Sequence, residues 1–308
     1  MRIHVLSLSP MSEAQKQRIS ALGELHYHDE ILGDATMGER CGGAEILIIT
    51  PRIAVDIIPY LDGCRFVSVQ GAGVDGLDLP RLREQGIVVS NVPEFCTDAV
   101  AEHAFALLLG VAKRIQQGPA LLREGGWSSA LAYATSGLRD KTMGLFGCGK
   151  IGSRIAEIAG AFGMSVRSVV GDPARPRTVP VVGFETLLAE SDFIVLAAPA
   201  NRATRGIFGR AAFARMRPGA ILINISRASL IDQAALLDAL DEGRIAGAGI
   251  DVFAPEPPPP DDPLLHHRKV LVSPHVAWGT VDALERLLDL SIANAEAFIA
   301  GAPVNVVT

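Results

Sequence analysis

Short apolar runs alternate with amphipathic stretches along almost the whole chain. In its N-terminal third the runs RIHVLSLS, AEILIIT, FVSVQGAG and IVVSNV each end near a turn signal and predict β-strands. Between them, segments such as LPRLREQG (79–86) have the apolar spacing of a helix and end in glycine. Strands that alternate with helices are typical of a parallel sheet covered by helices on both faces.

A second series of strands follows a long helical stretch, TDAVAEHAFALLLGVAKRI (97–115), for which Thr97 is a suitable N-cap. Its strands are expected in TMGLFG, SVRSVVG, FIVLAAP, AILINIS, AGAGIDV and KVLVSPHV, which match one doubly wound nucleotide-binding unit. A last helix is expected over DALERLLDLSIANAEAFIAG (282–301). Because 308 residues are too many for one small core, we predict an α/β protein of two doubly wound parallel-sheet domains.

Composition and charge exclude several classes of function. With a formal net charge of −6 and scattered basic residues, the chain favours neither nucleic acid nor an anionic membrane as a partner. The N-terminal apolar stretch is short and interrupted by Ser7 and Ser9, unlike a signal peptide. Even the apolar run AFALLLGVA stops at Lys113, too early to span a membrane. We therefore expect a cytoplasmic protein.

The cysteines are spread along the chain and form no CxxC pair, so neither a zinc site nor a thioredoxin-like motif is predicted. They are Cys41, Cys64, Cys96 and Cys148. Free thiols in a reducing cytosol account for them most simply.

A glycine-rich segment follows the first strand of the second series. TMGLFGCGKIGSRIAEIAGAFG contains G-x-G-x-x-G at Gly147, Gly149 and Gly152, in the strand-to-helix context that a dinucleotide-binding loop requires. The three glycines would make the tight turn, let the backbone approach a pyrophosphate, and let helix pack on strand, respectively. N–H groups at the helix N-terminus, with Lys150 and Ile151, would complete the cofactor contacts. The alternative is a plain βα turn.

The residues after the next strand bear on the choice of cofactor. Asp172 lies twenty residues after Gly152, the spacing at which dinucleotide folds carry an acidic residue for the adenosine ribose. Arg175 and Arg177 follow in GDPARPR and would suit the 2′-phosphate of NADP. The two interpretations conflict, and a solvated loop is a third, so NAD and NADP both remain open on these residues.

Three predicted strand ends in the second series carry chemically useful side chains. ILINISRAS contains Arg227, GIDVFAPEP contains Asp251 and Glu256, and SPHVAWG contains His275. The carboxyl ends of parallel strands form the edge where doubly wound sheets bind ligands. Together an arginine, a glutamate and a histidine could move a hydride to a ketone. Singly, each could instead be a structural ion pair, a solvated loop charge or a hydrogen-bonded core residue.

Several motifs occur in the order typical of a known family. GAGVDGLDL (71–79), NVPEFCTDAVAEHAFALLLG (91–110), the GCGKIG loop, NISRASLIDQAALLDALDEGRIAGAGIDVFAPEP and SPHVAW resemble the D-isomer-specific 2-hydroxyacid dehydrogenases. The resemblance covers nearly the whole chain. It implies that the catalytic arginine, glutamate and histidine of the family fall on Arg227, Glu256 and His275.

The resemblance implies a separate role for each of these three residues. Reduction of a 2-oxo acid requires a proton on the carbonyl oxygen as hydride reaches the carbon, and the His275 imidazolium would supply it. Glu256 would favour the charged imidazole. Arg227 would hold the substrate carboxylate and polarise the carbonyl with its fork of donors.

Supporting sites are implied in the same way. Backbone N–H groups at Ala72, Gly73 and Val74, in QGAGVD, would bind the substrate carboxylate, although an ordinary strand-to-helix turn is the alternative. Asp251 would orient the nicotinamide amide or cap a turn. The remaining implied cofactor contacts are Thr97, Ser226 and His275.

The family topology implies a discontinuous substrate domain, residues 1–96 plus 281–308, and a dinucleotide-binding domain, residues 97–280. The active site would occupy the cleft between them, and hinge closure would exclude water. The family also implies a homodimer formed through the dinucleotide-binding domain.

Departures from the family pattern bear on cofactor and substrate. The family usually carries an acidic residue eight positions after the phenylalanine of AFGM, where this chain has Val170; with Arg175 and Arg177 this favours NADP. Ala228 occupies the position after the arginine at which many members of the family have glycine. Trp278 of SPHVAWG resembles the glycerate dehydrogenases and hydroxypyruvate reductases, and would line the substrate pocket or lie at the dimer interface.

We therefore expect an NAD(P)-dependent oxidoreductase acting on a small 2-oxo acid or D-2-hydroxy acid, with hydroxypyruvate or glyoxylate as the first candidates. Another 2-oxo acid is the alternative. A different class is also open, because the C-terminal binding proteins are dinucleotide-sensing corepressors that retain this fold and these three residues.

Overall fold

A computed structural model describes residues 1–7, 10–29, 34–50, 56–74, 76–127, 134–169 and 179–308. Backbone contacts divide the chain into two compact units. Unit 1 comprises Met1–Cys96 and Gly279–Thr308, and unit 2 comprises Thr97–Trp278.

Unit 1 is built on a parallel sheet with helices on both faces. Its strands are β1 (Arg2–Leu6), β2 (Glu24–His28), β3 (Ile46–Ile49), β4 (Phe66–Val69) and β5 (Val88–Ser90). Its helices are α1 (Glu13–Leu22), α2 (Asp34–Cys41), α3 (Leu79–Glu84) and, at the C-terminal end, α11 (Val281–Ile299), with a 3₁₀ turn at Ile58–Tyr60. The strands lie in the order β2-β1-β3-β4-β5. The side chains of β3 and β4 are buried throughout, as expected for strands covered on both faces.

Unit 2 contains a six-stranded parallel sheet. Its strands are β6 (Thr142–Phe146), β7 (Ser165–Ser168), β8 (Phe193–Leu196), β9 (Ala220–Asn224), β10 (Ile245–Ile250) and β11 (Val270–Val272). Its helices are α4 (Thr97–Ala112), α5 (Gln117–Arg123), α6 (Lys150–Ala161), α7 (Phe184–Glu190), α8 (Arg210–Arg215), α9 (Gln233–Asp241) and α10 (Pro263–His266), with a 3₁₀ turn at Ala228–Leu230. The order β11-β10-β9-β8-β6-β7 reverses direction at β6, and the gap between β6 and β8 is the topological switch point where such sheets bind ligands.

The two parallel sheets confirm the predicted fold class, with three local differences. β2 was not predicted, because ELHYH contains no continuous apolar run; it lies half-buried at the sheet edge. The helix predicted over residues 97–115 ends at Ala112, since Arg114 adopts a left-handed φ of 55° that a helix cannot continue. Thr97 is the first residue of that helix rather than the cap before it.

In the described ranges, no helix combines the length and the apolar character needed to cross a bilayer.

A buried histidine in unit 1 links stability to pH. His4 lies in β1 with 8% of its surface exposed, and its Nδ1–H donates to the Arg40 carbonyl of α2 at 2.8 Å. Burial lowers the pKa of His4 below its ordinary 6.5; the Arg40 hydrogen bond opposes this shift and nearby His26 reinforces it.

This lowered pKa predicts acid destabilisation that His4→Asn relieves. Below pH 6.5 the unfolded chain binds a proton at this position that the folded chain resists, so stability falls as pH drops. One such proton contributes a slope of at most about 1.4 kcal/mol per pH unit. Asparagine can keep the hydrogen bond to Arg40 but does not titrate. Urea unfolding at pH 7.5 and 5.5 checks this, and an equal fall in both proteins would assign the effect to other groups.

Candidate active site

The glycine loop lies at the switch point of unit 2. Gly147 follows β6 with φ at 106°, and a Cβ there would lie 2.6 Å from the Ala198 nitrogen after β8. A Cβ on Gly152 would lie 2.4 Å from the Gly147 oxygen. These contacts require glycine at both positions, because the loop and the first turn of α6 approach each other so closely.

Gly149 has a different environment that suits a phosphate. It is the N-cap of α6, and a Cβ there would meet nothing within 4 Å. Lys150 and Ile151 are half-buried in the first turn. The open space faces the start of a twelve-residue helix whose first N–H groups have no intrahelical acceptor. The loop therefore fits the pyrophosphate of a dinucleotide.

The start of α4 is fixed next to α6. Thr97 is half-buried, and the adjacent Asp98 accepts a hydrogen bond from Arg154 Nε in α6 at 2.7 Å. Arg154 also bonds Glu157 at 2.8 Å. This contact holds Thr97 near the helix that carries the glycine loop.

The loop after β9 is held by the buried side chain of Asn224. Its Nδ2 donates to the Arg227 carbonyl at 3.0 Å, and its Oδ1 accepts from the Ser226 N–H at 3.1 Å. Ser226 Oγ donates to the Ala198 carbonyl at 2.5 Å, which ties this loop to the end of β8. Arg227 is half-buried, with Nη1 donating to the Ser226 carbonyl at 2.9 Å. The backbone that carries this arginine is thus fixed by side chains.

Glu256 and His275 are joined by a short hydrogen bond. His275 Nδ1 lies 2.6 Å from Glu256 Oε2, and the side chains are 29% and 32% exposed. The other carboxylate oxygen of Glu256 accepts from the Phe253 N–H at 2.9 Å. The glutamate is anchored to its own loop, while both partners stay accessible to a small molecule.

Asp251, directly after β10, is completely buried and fully hydrogen-bonded. Oδ1 accepts from Ser273 Oγ at 2.6 Å and from the Val276 N–H at 3.0 Å, and Oδ2 accepts from the Ala277 N–H at 3.0 Å. His103 Nε2 lies 3.4 Å from Oδ1. Burial acts to raise the pKa of Asp251, but these hydrogen bonds outweigh it and hold the pKa below its ordinary value.

His275 has an unusual backbone conformation that this carboxylate stabilises. Its φ is 54°, in the left-handed region that non-glycine residues rarely adopt. The two following N–H groups bond Asp251, and Trp278 Nε1 donates to the His275 carbonyl at 3.0 Å. Such a conformation persists only where the surroundings hold it, and it sets the direction of the imidazole.

The loop of Ala72, Gly73 and Val74 belongs to unit 1. Asn91 Nδ2 donates to the Ala72 carbonyl at 2.8 Å, and Asn294 Nδ2 of α11 donates to the Asn91 carbonyl at 2.9 Å. Ala72 is exposed, and the other two residues are half-buried. Side-chain amides therefore hold this loop as Asn224 holds the loop of Arg227.

The candidates in unit 2 collect at one edge of the sheet. Arg227, Glu256 and His275 follow the three neighbouring strands β9, β10 and β11, and the last two are in direct contact. The ribose candidates lie outside the described residues; they are Asp172, Arg175 and Arg177.

Sequence reasoning missed the residues that hold these loops. Asn224 and Ser273 were not predicted, although Asn224 closes the buried strand β9 and Ser273 directly follows the apolar strand β11. That change from apolar to polar at a strand end is the signal that could have identified them.

Comparison with known proteins agrees with this site. Residues 105–277 match the family described as D-isomer specific 2-hydroxyacid dehydrogenase, NAD binding domain. A glyoxylate reductase from Thermococcus litoralis is 36% identical over 268 residues, which are 84% of this chain and 81% of that protein. A hydroxypyruvate reductase from Blautia hydrogenotrophica is 34% identical over 303 residues, 94% of this chain and 93% of the other.

Solved structures show the same architecture. An acyclic imino acid reductase in complex with NADPH and D-arginine has a TM-score of 0.91 and 30% identity, with all of both chains covered. The family match spans more than half of the chain, and it coincides with the glycine loop and the three strand-end residues. The chain therefore belongs to the D-isomer-specific 2-hydroxyacid dehydrogenase family, whose members are NAD(P)-dependent oxidoreductases.

Proposed function

We propose that this chain reduces hydroxypyruvate or glyoxylate, giving D-glycerate or glycolate. The observation that carries the proposal is the 2.6 Å pair of Glu256 and His275, at the same sheet edge as a loop that fits a dinucleotide. Relatives named glyoxylate reductase and hydroxypyruvate reductase, over 84% and 94% of this chain, support the choice of substrate.

In this proposal His275 is the proton donor. Glu256 engages Nδ1, so the Nε2–H is the group that His275 presents to the carbonyl oxygen of the substrate. When bound, NAD(P)H supplies the hydride. Because Phe253 holds the Glu256 carboxylate in place, the charge that stabilises the imidazolium is already oriented before the proton moves.

Arg227 is proposed to bind the substrate carboxylate. A guanidinium donates two parallel hydrogen bonds to a carboxylate and is always charged. The Asn224 side chain fixes the loop that carries it. Binding of the carboxylate by Ala72, Gly73 and Val74, and the cofactor contacts of Thr97, Ser226 and Asp251, remain predictions.

Initial rates test the proposal. Hydroxypyruvate and glyoxylate are each assayed with NADPH and with NADH by loss of reduced-cofactor absorbance. A preference for NADPH would assign Arg175 and Arg177 to the 2′-phosphate, and a preference for NADH would assign the ribose to Asp172. Turnover of neither acid with either cofactor would contradict the proposed substrate and lead to a wider screen of 2-oxo acids.

Imine reduction is a second candidate activity. It is favoured by the likeness to the acyclic imino acid reductase, which extends over all of both chains. His275 would donate a proton in both reactions, to the nitrogen of a C=N bond or to the oxygen of a carbonyl. A rate with pyruvate that rises with added methylamine, and product that is the N-methyl amino acid, would support it.

A homodimer formed through unit 2 is also proposed. Between α4 and β6, the described residues include three large apolar side chains with high exposure, Ile115, Leu122 and Trp127, at 62%, 57% and 89%. Large exposed apolar side chains concentrated in one short segment favour a protein interface there. A cytoplasmic location is proposed as well, and the four free thiols support it.

We expect that Leu122→Asp combined with Trp127→Asp converts a dimer to a monomer, because the charges would be buried without partners. Sedimentation velocity measures the mass against the 32.5 kDa chain. Val281→Asp is the matched control, since Val281 is 72% exposed and lies in unit 1. A wild-type monomer, or a dimer that survives both charges, would refute this interface.

A further inference from the structure

His103 lies on the face of α4 that packs on β10. His103, Leu107 and Val111 are four residues apart and share that face. A Cβ on Gly249 would lie 2.9 Å from Leu107 Cβ, and one on Gly247 would lie 2.6 Å from Val111 Cγ1. Four helical residues rise about as far as two strand residues, roughly 6 Å, so the same register brings His103 to position 251.

At that position His103 completes a hydrogen-bonded chain. Its Nε2 lies 2.8 Å from Ser273 Oγ, and Ser273 Oγ lies 2.6 Å from Asp251 Oδ1. Asp251 is ionised, because its hydrogen bonds hold its pKa below the ordinary value despite burial, and an ionised carboxylate only accepts. The single hydroxyl proton of Ser273 therefore goes to Asp251, so His103 Nε2 must carry a proton, which it donates to Ser273 Oγ at 2.8 Å and directs also toward Asp251 Oδ1 at 3.4 Å.

This hydrogen-bonded chain ends at the backbone next to His275, the proposed proton donor. Asp251 accepts from Val276 and Ala277, the two residues that follow His275. Both N–H groups donate to Asp251 with His275 in its left-handed conformation, at a φ of 54°. A shift of the Asp251 carboxylate or of Ser273 would therefore turn the imidazole of His275.

We propose that His103 is a positioning residue for the reaction, acting through Ser273 and Asp251 to keep His275 directed at the substrate. The inference rests on the proposed function, in which His275 donates the proton. The competing interpretation is that His103 only attaches α4 to the sheet.

Two substitutions separate these interpretations. His103→Leu removes the donor, whereas His103→Gln offers an amide N–H at about the reach of Nε2. We expect His103→Leu to lower kcat about 10- to 100-fold, the size typical of losing a hydrogen bond to a charged network. The KM for the reduced cofactor should change less than about threefold, and His103→Gln should restore most of kcat.

The kinetic isotope effect on hydride transfer should be unchanged if His103 only attaches α4 to the sheet, so it separates the two interpretations. With cofactor deuterated at C4, the effect on kcat should rise in His103→Leu, because misdirected protonation makes hydride transfer slower relative to product release. Ser273→Ala should cause a similar loss, and the double variant should lose little more than either single variant. Glu102→Leu, on the exposed adjacent position of α4, should behave as wild type.

Several results would overturn the proposal: kcat within twofold of wild type in His103→Leu, a loss that His103→Gln does not rescue, or fully additive losses. A wild-type enzyme without turnover would instead contradict the proposed function. The His275 ring signals in ¹H–¹³C spectra need no substrate, so they test positioning in either case. They should shift in His103→Leu and return in His103→Gln, and unshifted signals would refute the inference.

Discussion

Replacing His275 with glutamine is expected to lower kcat about 10²- to 10⁴-fold, the range typical of losing a positioned general acid. Glutamine is similar in size and can still donate to Glu256, but its amide cannot release a proton to the forming alkoxide. Steady-state rates with hydroxypyruvate give kcat, and the KM for the reduced cofactor should remain near its wild-type value because the phosphate loop is untouched.

His266→Gln is the matched control for this variant. His266 is exposed in α10 of the same unit, and its Nε2 hydrogen-bonds the Pro260 carbonyl. We expect it to retain wild-type kcat. If His275→Gln retains a rate within twofold of wild type, the proton comes from another group and the proposed role of His275 is wrong.

Arg227→Lys is expected to lower kcat/KM for the 2-oxo acid about 10²- to 10³-fold, comparable to removal of one donor at a developing oxyanion. Lysine keeps the positive charge but cannot make two parallel hydrogen bonds to a carboxylate. The loop should keep its shape, because Asn224 bonds only the backbone of Arg227 and Ser226. The midpoint temperature of thermal unfolding should therefore change by no more than a few degrees.

The control for Arg227→Lys is Arg210→Lys in α8. Arg210 is 75% exposed and pairs with Asp238 at the surface, 2.5 Å away. Its replacement should leave kcat/KM unchanged. A near-normal kcat/KM in Arg227→Lys would show that charge alone suffices, and the bidentate role of Arg227 would have to be abandoned.

Much of the fold could be predicted from hydrophobic periodicity, but its polar edges could not. The strands that end at Asn224, Ile250 and Val272 are apolar runs, so their positions and the residues after them were readable from the sequence. β2 was missed because the half-buried edge strand ELHYH has no continuous apolar run. The end of α4 was missed because nothing local predicts a left-handed Arg114.

In the site, too, the features set by neighbouring residues could be predicted from the sequence, and those set by distant residues could not. The glycine spacing and the strand-end residues Glu256 and His275 could be read directly, whereas the left-handed conformation of His275 depends on groups distant in sequence. Asp251 illustrates this most clearly. The family resemblance implies a contact with the nicotinamide amide, while its buried carboxylate accepts hydrogen bonds from the His275 loop. Partners separated by more than twenty residues become visible only when the sheet brings the strands together.

The most direct test of hydride transfer to a 2-oxo acid is the fate of a label. Hydroxypyruvate is reduced with cofactor carrying deuterium at both C4 positions, and the glycerate is analysed by NMR and by chiral chromatography. We predict D-glycerate with deuterium at C2 from the wild-type enzyme. L-glycerate, glycerate without deuterium at C2, or no glycerate at all would contradict the proposed reaction.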